Sequence, residues 1–203
     1  METNNSRQIR QFDVARPGRE SWTHELPGQT GIISSIAVHP SMPVLAAGCY
    51  NKTTGLYSVD GQLLCLLTGQ AGGVTQVKYS KLSRVNLKAS QVLFSRDGST
   101  LFTGARKDGE IICWDLRQPG KVLFTAQREA ATNQRMQLCN SPCGQFLLSA
   151  STDGSVRVWD TSQAPDPQSG LLPPHRAWLL HGSVHFHNCS FQSGILKVTL
   201  LLG

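Results

Sequence analysis

Two stretches of the chain repeat one pattern of turns and strands, and this repeat limits the possible folds more than any other feature. The first is LFSRDGSTLFTGARKDGEIICWD, residues 93–115, and the second is SPCGQFLLSASTDGSVRVWD, residues 141–160. Each contains a glycine turn, a strand, an Asp-Gly hairpin turn and a strand that ends in Trp-Asp. The Trp-Asp pairs end at residues 115 and 160, which are 45 positions apart.

A period of about 40–45 residues that ends in Trp-Asp predicts the blades of a WD-repeat β-propeller, an all-β fold. Two unrelated hairpins would leave the common spacing unexplained. In this interpretation Asp108 and Asp153 order the hairpin turns, and Trp114 and Trp159 pack between sheets. We also expect Gly109 to adopt a positive φ, which glycine accepts without steric cost.

Weaker copies of the repeat precede these two. Phe12-Asp13 and Val59-Asp60 stand where Trp-Asp is expected, and Asp13 and Asp60 are 47 positions apart. The sequence thus predicts a partial WD-repeat propeller of about three blades over residues 1–162. Residues 163–203 are expected to form an irregular divergent tail and not a further blade.

The period lengthens to 55 residues between Asp60 and Asp115, and residues 78–92, KYSKLSRVNLKASQV, account for the excess. We interpret these residues as an insertion in the innermost strand of a blade. It is either an amphipathic basic segment that binds a partner or membrane, or sequence from a retained intron or faulty gene model. The second explanation is preferred, because insertions normally fall in surface loops. Gln70, before the insertion, replaces the histidine that WD repeats usually carry there.

Composition narrows the class of protein further. The six cysteines are scattered, and the polar N-terminus lacks a secretory signal, so we expect reduced thiols packed as small hydrophobes. No apolar run reaches the roughly 18 residues of a membrane span.

The net charge of +6 favours an anionic partner such as RNA. Four of these positive charges lie in residues 78–92, however, so charge alone argues weakly for nucleic acid.

The tail contains a group of potential metal ligands in HGSVHFHNC: His181, His185, His187 and Cys189. Strand alternation would place His185 and His187 on one face. The group lacks a Cys-x-x-Cys pair, so an out-of-frame or alternatively spliced tail is the preferred interpretation. We therefore expect no metal site.

Four segments outside the general WD pattern resemble the telomerase Cajal body protein family, a group of nuclear WD-repeat proteins. They are VARPGRE (14–20), GQTGIIS (28–34), GARKDGEIICWDLRQ (104–118) and ATNQR (131–135). The resemblance covers about residues 7–162, is interrupted at 78–92 and is lost by His181. It implies a seven-bladed propeller, of which this chain would hold about three blades.

The resemblance also implies RNA binding and scaffolding without catalysis. Members of the family recognise a short loop box in small Cajal-body RNAs and telomerase RNA, deliver these RNAs to Cajal bodies and support telomerase assembly. The implied partners are these RNAs and the proteins of the telomerase ribonucleoprotein, and the implied location is the Cajal bodies of the nucleus. We expect no catalytic residue, no cofactor and no membrane contact.

Arginine and lysine near the hairpin turns are the candidate RNA contacts, since RNA loops are often read by stacking and hydrogen-bonding side chains. They are Arg106, Lys107 and Arg135. Solvated loop charges are the simpler explanation of the same residues. Two other functions stay open: a general WD-repeat scaffold for protein partners, and a truncated product without independent function.

Overall fold

The computed structural model describes residues 8–28, 31–50, 52–68, 89–105, 107–118, 120–132, 136–179, 184–192 and 195–202. Side chains are described for these residues except Trp22, Ala89, Ser90 and all residues from 184 onward. Every regular element in the described residues is a β-strand, which agrees with the predicted all-β class.

The chain begins with an antiparallel hairpin and a first four-stranded sheet. Strands β1 (Gln8–Phe12) and β2 (Glu20–Glu25) form the hairpin. The first sheet is an antiparallel meander of β3 (Ile33–Val38), β4 (Val44–Cys49), β5 (Thr53–Ser58) and β6 (Leu63–Thr68). This order of neighbouring strands is the arrangement of a propeller blade.

Two further sheets repeat the meander. The second sheet contains β7 (Ala89–Phe94), β8 (Thr100–Ala105), β9 (Glu110–Asp115) and β10 (Lys121–Gln127). The third begins with β11 (Leu138–Asn140), β12 (Phe146–Ala150) and β13 (Ser155–Asp160). After β13 the short strand β14 (Leu171–Leu172) pairs in parallel with β10 of the second sheet.

The third sheet is completed by β15 (Arg176–Leu179), which pairs with β13. A second hairpin follows, made of β16 (Val184–Gln192) and β17 (Ile195–Leu202). The described part of the predicted tail, residues 163–203, thus contributes β14 to the second sheet and β15 to the third. The proposed division of the chain at residue 162 stays a prediction.

Layers of apolar side chains join each sheet to the next. Ile9 and Leu26 pack with Leu45, Ala47 and Tyr57, so the first hairpin covers one face of the first sheet. A second layer lies between the first and second sheets: Ala46, Leu56, Leu67, Val92, Phe94, Leu101, Ile112 and Trp114. A third layer lies between the second and third sheets: Phe102, Ile111, Cys113, Phe124, Ala126, Leu138, Leu147, Trp159 and Leu172.

Strand β9 shows how the sequence encodes this stacking. Its residues alternate between the two layers, because successive side chains of a strand point to opposite faces. Ile112 and Trp114 enter the layer shared with the first sheet, and Ile111 and Cys113 enter the layer shared with the third. A strand buried on both faces needs apolar residues at successive positions, which explains the run Ile-Ile-Cys-Trp.

The two strands that flank the Asp108-Gly109 turn in the first stretch are expected at about 101–105 and 111–114, and both are confirmed by β8 and β9. The predicted positive φ of Gly109 is wrong, since the left-handed residue of this turn is Lys107, with φ 56°. Gly109 is needed for a different reason: a Cβ there would lie 2.4 Å from the carbonyl oxygen of Arg128.

The innermost strand of the second sheet overlaps the interpreted insertion at 78–92. Residues 89–92 belong to β7, where Gln91 pairs with Gly104 and Val92 with Thr103. Val92 is buried in the layer between the first and second sheets. Residues 78–88 and Gln70 lie outside the described residues.

Candidate nucleic-acid interface

The three sheets present equivalent turns at the same end of the stack. The connections from β4 to β5, from β8 to β9 and from β12 to β13 each join the second and third strands of a sheet, and we call this end the hairpin face. The turns at 39–43, 95–99 and 141–145 lie at the opposite end, where His39 Nε2 is 2.9 Å from the Gly98 carbonyl oxygen. The position of a Cβ at Gly144 is 3.5 Å from Arg96 Cβ at this same end.

Lys107 is the one predicted RNA contact within the described residues. It lies on the hairpin face with an exposed side chain, and its backbone N–H donates to the Thr132 carbonyl at 3.2 Å. Arg106 and Arg135, the other two candidates, lie outside the described residues. Thr132 ends a segment, residues 128–132, that follows β10 and borders the Lys107 turn.

The residue after Lys107, Asp108, has a buried carboxylate. Asp108 Oδ1 accepts a hydrogen bond from the Glu110 backbone N–H at 2.9 Å, which shapes the turn before β9. Burial raises the pKa of Asp108, while the Glu110 amide and the charge of Arg128 act in the opposite direction. Burial and the neighbouring Asp108 raise the pKa of Glu110 as well.

Arg128 is the buried cation beside this turn. Its side chain is only 2% exposed, and its Nη1 donates to Ser149 Oγ of the third sheet at 2.6 Å. Burial lowers the pKa of Arg128 to about 10, and Asp108 opposes this shift. The guanidinium is therefore still protonated at neutral pH, within a layer that is mostly apolar.

The corresponding turn of the third sheet has its charge paired at the surface. Asp153 Oδ1 accepts from the Ser155 backbone N–H at 2.9 Å, and its Oδ2 forms an ion pair with Arg157 Nη2 at 2.8 Å. Partial burial would raise the pKa of Asp153, but hydrogen bonds from Ser155 and Arg157 outweigh it and hold that pKa well below its usual value. Arg157 Nη1 also donates to the Gln127 carbonyl at 2.9 Å.

The two tryptophans of the repeat occupy different layers and make different hydrogen bonds. Trp114 Nε1 donates to Thr103 Oγ1 at 2.9 Å in the second sheet. Trp159 and Ser149 hold the equivalent places in the third sheet. Ser149 accepts from Arg128, and Trp159 Nε1 has no hydrogen-bond partner in the described part of the chain.

The described charges of the hairpin face have both signs. Lys52 and Lys107 provide positive charge, and both are non-glycine residues with positive φ, 72° and 56°. Glu110 and Glu129 provide negative charge close to Lys107, while Asp153 is paired with Arg157. Among its described residues, the face therefore offers separate cationic points and not a uniformly basic patch.

The expectations for metal and thiol chemistry concern other parts of the chain. The potential metal ligands of the tail lie outside the described side chains: His181, His185, His187 and Cys189. Among described side chains, no group of three or more potential ligands could hold a metal ion. The described cysteines are free thiols, and burial raises the pKa of Cys113 to about 12.

A cleft of about 330 Å³ lies where the connection after β13 passes β10. Its lining includes Gln127, Arg157, Asp166 and Pro173. Within the described residues, there is no helix with the length and apolarity to cross a membrane.

Arg128 is the site residue that sequence reasoning missed. It begins the polar run REAATNQR, in which a solvated loop is the natural expectation. Its burial depends on Gly104, Gly109 and Ser149, which are distant in sequence. The Asp-Gly pattern predicts the turn at Gly109, but it carries no signal for the contact between Gly109 and Arg128.

Comparisons with known proteins agree with this architecture. The family model for the WD domain, G-beta repeat, matches residues 20–58, 61–115 and 129–160. Telomerase Cajal body protein 1 of Mus musculus is 44% identical over 173 residues, which are 83% of this chain and 30% of the mouse protein. The Homo sapiens protein of that name is 42% identical over 178 residues, again 83% of this chain and 30% of the relative.

A more distant relative, the telomerase Cajal body protein 1 homolog of Drosophila melanogaster, is 31% identical over 172 residues, 82% of this chain and 28% of that protein. The chain thus spans less than a third of the length of these relatives. The three repeat matches end with β5, β9 and β13, the third strands of the first, second and third sheets. On the repeat matches and the sheet topology together, this chain belongs to the WD-repeat family.

Proposed function

We propose that this chain is a non-catalytic RNA-binding and scaffold protein whose role is related to telomerase and Cajal bodies. The names of its relatives support this class of role. The proposed ligands are small Cajal-body RNAs and telomerase RNA. The proposed setting is telomerase assembly and telomere maintenance in nuclear Cajal bodies, with proteins of the telomerase ribonucleoprotein as further partners.

The observation that carries the RNA proposal is the exposed Lys107 on the hairpin face. Its left-handed backbone, φ 56°, is uncommon for a residue with a Cβ and costs free energy. Such outliers are often retained where a side chain must point at a ligand. In this proposal Lys107 contacts a phosphate, and Arg106 and Arg135 are further contacts with the same RNA.

The first prediction tests this contact with a Lys107→Ala variant and a small Cajal-body RNA hairpin. We expect a threefold to tenfold weaker affinity, as a rough estimate for one charged phosphate contact. The slope of log affinity against log salt should fall by about 0.7, the value for one phosphate of a single strand. Fluorescence anisotropy between 50 and 300 mM salt, as approximate limits of the titration, measures both quantities.

Lys121→Ala is the matched control, because it removes the same charge from an exposed lysine at the start of β10, on the opposite face. Its affinity and salt slope should equal those of the unmodified chain. Arg106→Ala and Arg135→Ala should each resemble Lys107→Ala. Equal losses for the variants at 107 and 121 would mean that only net charge matters and would contradict a site at the hairpin face.

A protein-binding scaffold is the second candidate function. The outer strand β15 of the third sheet favours it, since Trp178 and Leu179 are 42% and 67% exposed there. Large exposed apolar side chains on an outer strand are suited to protein contacts. Capture of a telomerase protein that survives RNase treatment and is lost in Trp178→Ala would support this function. Capture that disappears with RNase would instead support RNA binding.

A further inference from the structure

Arg128 joins the Lys107 turn to the third sheet through two different parts of one residue. Its backbone N–H donates to the Gly109 carbonyl at 2.8 Å, so its main chain is attached to the turn of the second sheet. A Cβ at Gly109 would lie 2.4 Å from the Arg128 carbonyl oxygen, which shows how closely the two backbones approach. Lys107 N–H, bonded to Thr132, holds the other end of the 128–132 segment to the same turn.

The side chain of Arg128 leaves this turn and enters the third sheet. Nη1 donates to Ser149 Oγ, and the position of a Cβ at Gly104 is 3.1 Å from Nη2. A side chain at position 104 would crowd the guanidinium at this distance. The segment is also tied to the third sheet by Glu129 N–H, which donates to Ser151 Oγ at 2.9 Å.

Burying this cation costs free energy, so stability alone does not explain why an arginine occupies this position. Nε and Nη2 have no hydrogen-bond partner among the described residues, and the nearby charge of Asp108 compensates only in part. Burying a charge with unmade hydrogen bonds costs free energy, and an apolar residue of similar volume often stabilises such a place. Buried ionic groups of this kind are retained in some proteins because they specify one geometry.

We propose that Arg128 is a positioning residue for RNA: it fixes the Lys107 turn relative to the third sheet, so that the exposed Lys107 is held in one orientation toward the ligand. The proposal rests on the proposed function of the hairpin face. It adds a buried residue that does not contact the ligand but determines the position of the exposed contact residue.

Arg128→Met removes the charge and the bond to Ser149 but keeps a long apolar side chain. We expect the affinity for the RNA hairpin to fall about tenfold, which corresponds to the free energy of one hydrogen bond made by a charged group. Amide hydrogen exchange at Lys107 should become about tenfold faster, because the 128–132 segment would lose its anchor in the third sheet. Both are measured well below the unfolding temperature of the variant.

Arg157→Met is the matched control. Arg157 also joins the second and third sheets, through the Gln127 carbonyl and Asp153, but it does not contact the Lys107 turn. We expect unchanged exchange at Lys107 and unchanged RNA affinity in this variant. Equal effects of both substitutions would overturn the proposal, because any link between the sheets would then suffice.

Arg128→Lys keeps the experiment decisive if the methionine variant does not fold. A lysine retains the charge but has a single ammonium in place of the planar fork. Exchange at Lys107 faster than in the unmodified chain supports the positioning role, and unmodified rates in a folded variant overturn it. If the unmodified chain does not bind RNA at all, the proposed function fails, while the exchange rates still decide whether Arg128 holds the turn.

Discussion

At the residue scale, the hairpin turns show where lysine occupies positions that suit glycine. Lys52 N–H bonds the Cys49 carbonyl, and Gly154 N–H bonds the Ser151 carbonyl, so the two residues close equivalent turns. Both have a left-handed backbone, with φ 72° and 81°. The first sheet therefore keeps a strained lysine where the third sheet has glycine. Lys107 is strained in the same sense within the longer turn of the second sheet.

A pair of substitutions at Lys107 separates backbone strain from charge. Lys107→Gly and Lys107→Ala both remove the charge, but only glycine accepts φ 56° without steric cost. We expect the glycine variant to have a free energy of unfolding about 1 kcal/mol higher than the alanine variant. Urea denaturation measures this difference.

Both variants should bind RNA equally weakly, since the lost phosphate contact is the same. The corresponding pair at Lys121, which does not have a positive φ, should show the reverse order of stability, with glycine below alanine. A glycine variant at position 107 that is less stable than the alanine variant would contradict the strain assigned to this turn.

At the element scale, the connection after β13 changes the edge of a neighbouring sheet. It runs from residue 161 to 175 and contributes β14, whose residues pair in parallel with Thr125 and Ala126 of β10. Leu172 is 2% exposed in the layer between the second and third sheets. This connection therefore covers part of an outer edge and adds to the contact between the two sheets.

Leu172→Ala should lower the free energy of unfolding by about 2–4 kcal/mol, because it leaves a cavity in a packed layer. The adjacent Leu171→Ala is the control, since Leu171 is only half-buried and should cost less than about 1 kcal/mol. Urea denaturation of both variants measures the contrast. Equal small losses would show that β14 contributes little to the joining of the sheets.

At the scale of the whole molecule, the first, second and third sheets each share an apolar layer with another sheet. Leu101 belongs to the layer between the first and second sheets, and Leu147 to the layer between the second and third. Innermost strands are also bonded to each other, as when Gln91 accepts from Leu138 N–H at 2.6 Å. No sheet can lose its packing without exposing apolar surface of a neighbour.

This sharing predicts cooperative unfolding of the three sheets. The urea midpoint from tryptophan fluorescence, to which Trp114 and Trp159 contribute as buried residues, should equal the midpoint from far-ultraviolet circular dichroism. Leu101→Ala and Leu147→Ala should each lower both midpoints together, with a loss of about 2–4 kcal/mol. Two separated transitions, of which Leu147→Ala shifts one alone, would show that the third sheet unfolds independently.

Features that depend on residues close together in the sequence were predictable, and features that depend on distant residues were not. The strands at β8 and β9 and the repeated Trp-Asp ends follow from alternation, turn residues and spacing, all of which lie within one repeat. Gly109 shows the limit of this reasoning. The hairpin pattern predicts that position 109 needs glycine. The structural reason is the close approach of Arg128, nineteen positions later, and not a positive φ at Gly109.

The candidate site was only partly predictable for a similar reason. A lysine in a turn is expected to be exposed, and Lys107 is. An arginine in a polar connection has the same expectation, yet Arg128 is buried. The difference comes from Gly104, which leaves space for the guanidinium, and Ser149, which accepts its hydrogen bond.

The sequence by itself determined the all-β class, the period of the repeat and the family, because apolar alternation and turn chemistry act between near neighbours. Only the tertiary structure decided that Arg128 is a buried link and that residues 171–172 join the second sheet. It also decided that residues 89–92 form an innermost strand. Those outcomes depend on burial and hydrogen bonds between residues distant along the chain, whose free energies exist only once the sheets are packed together.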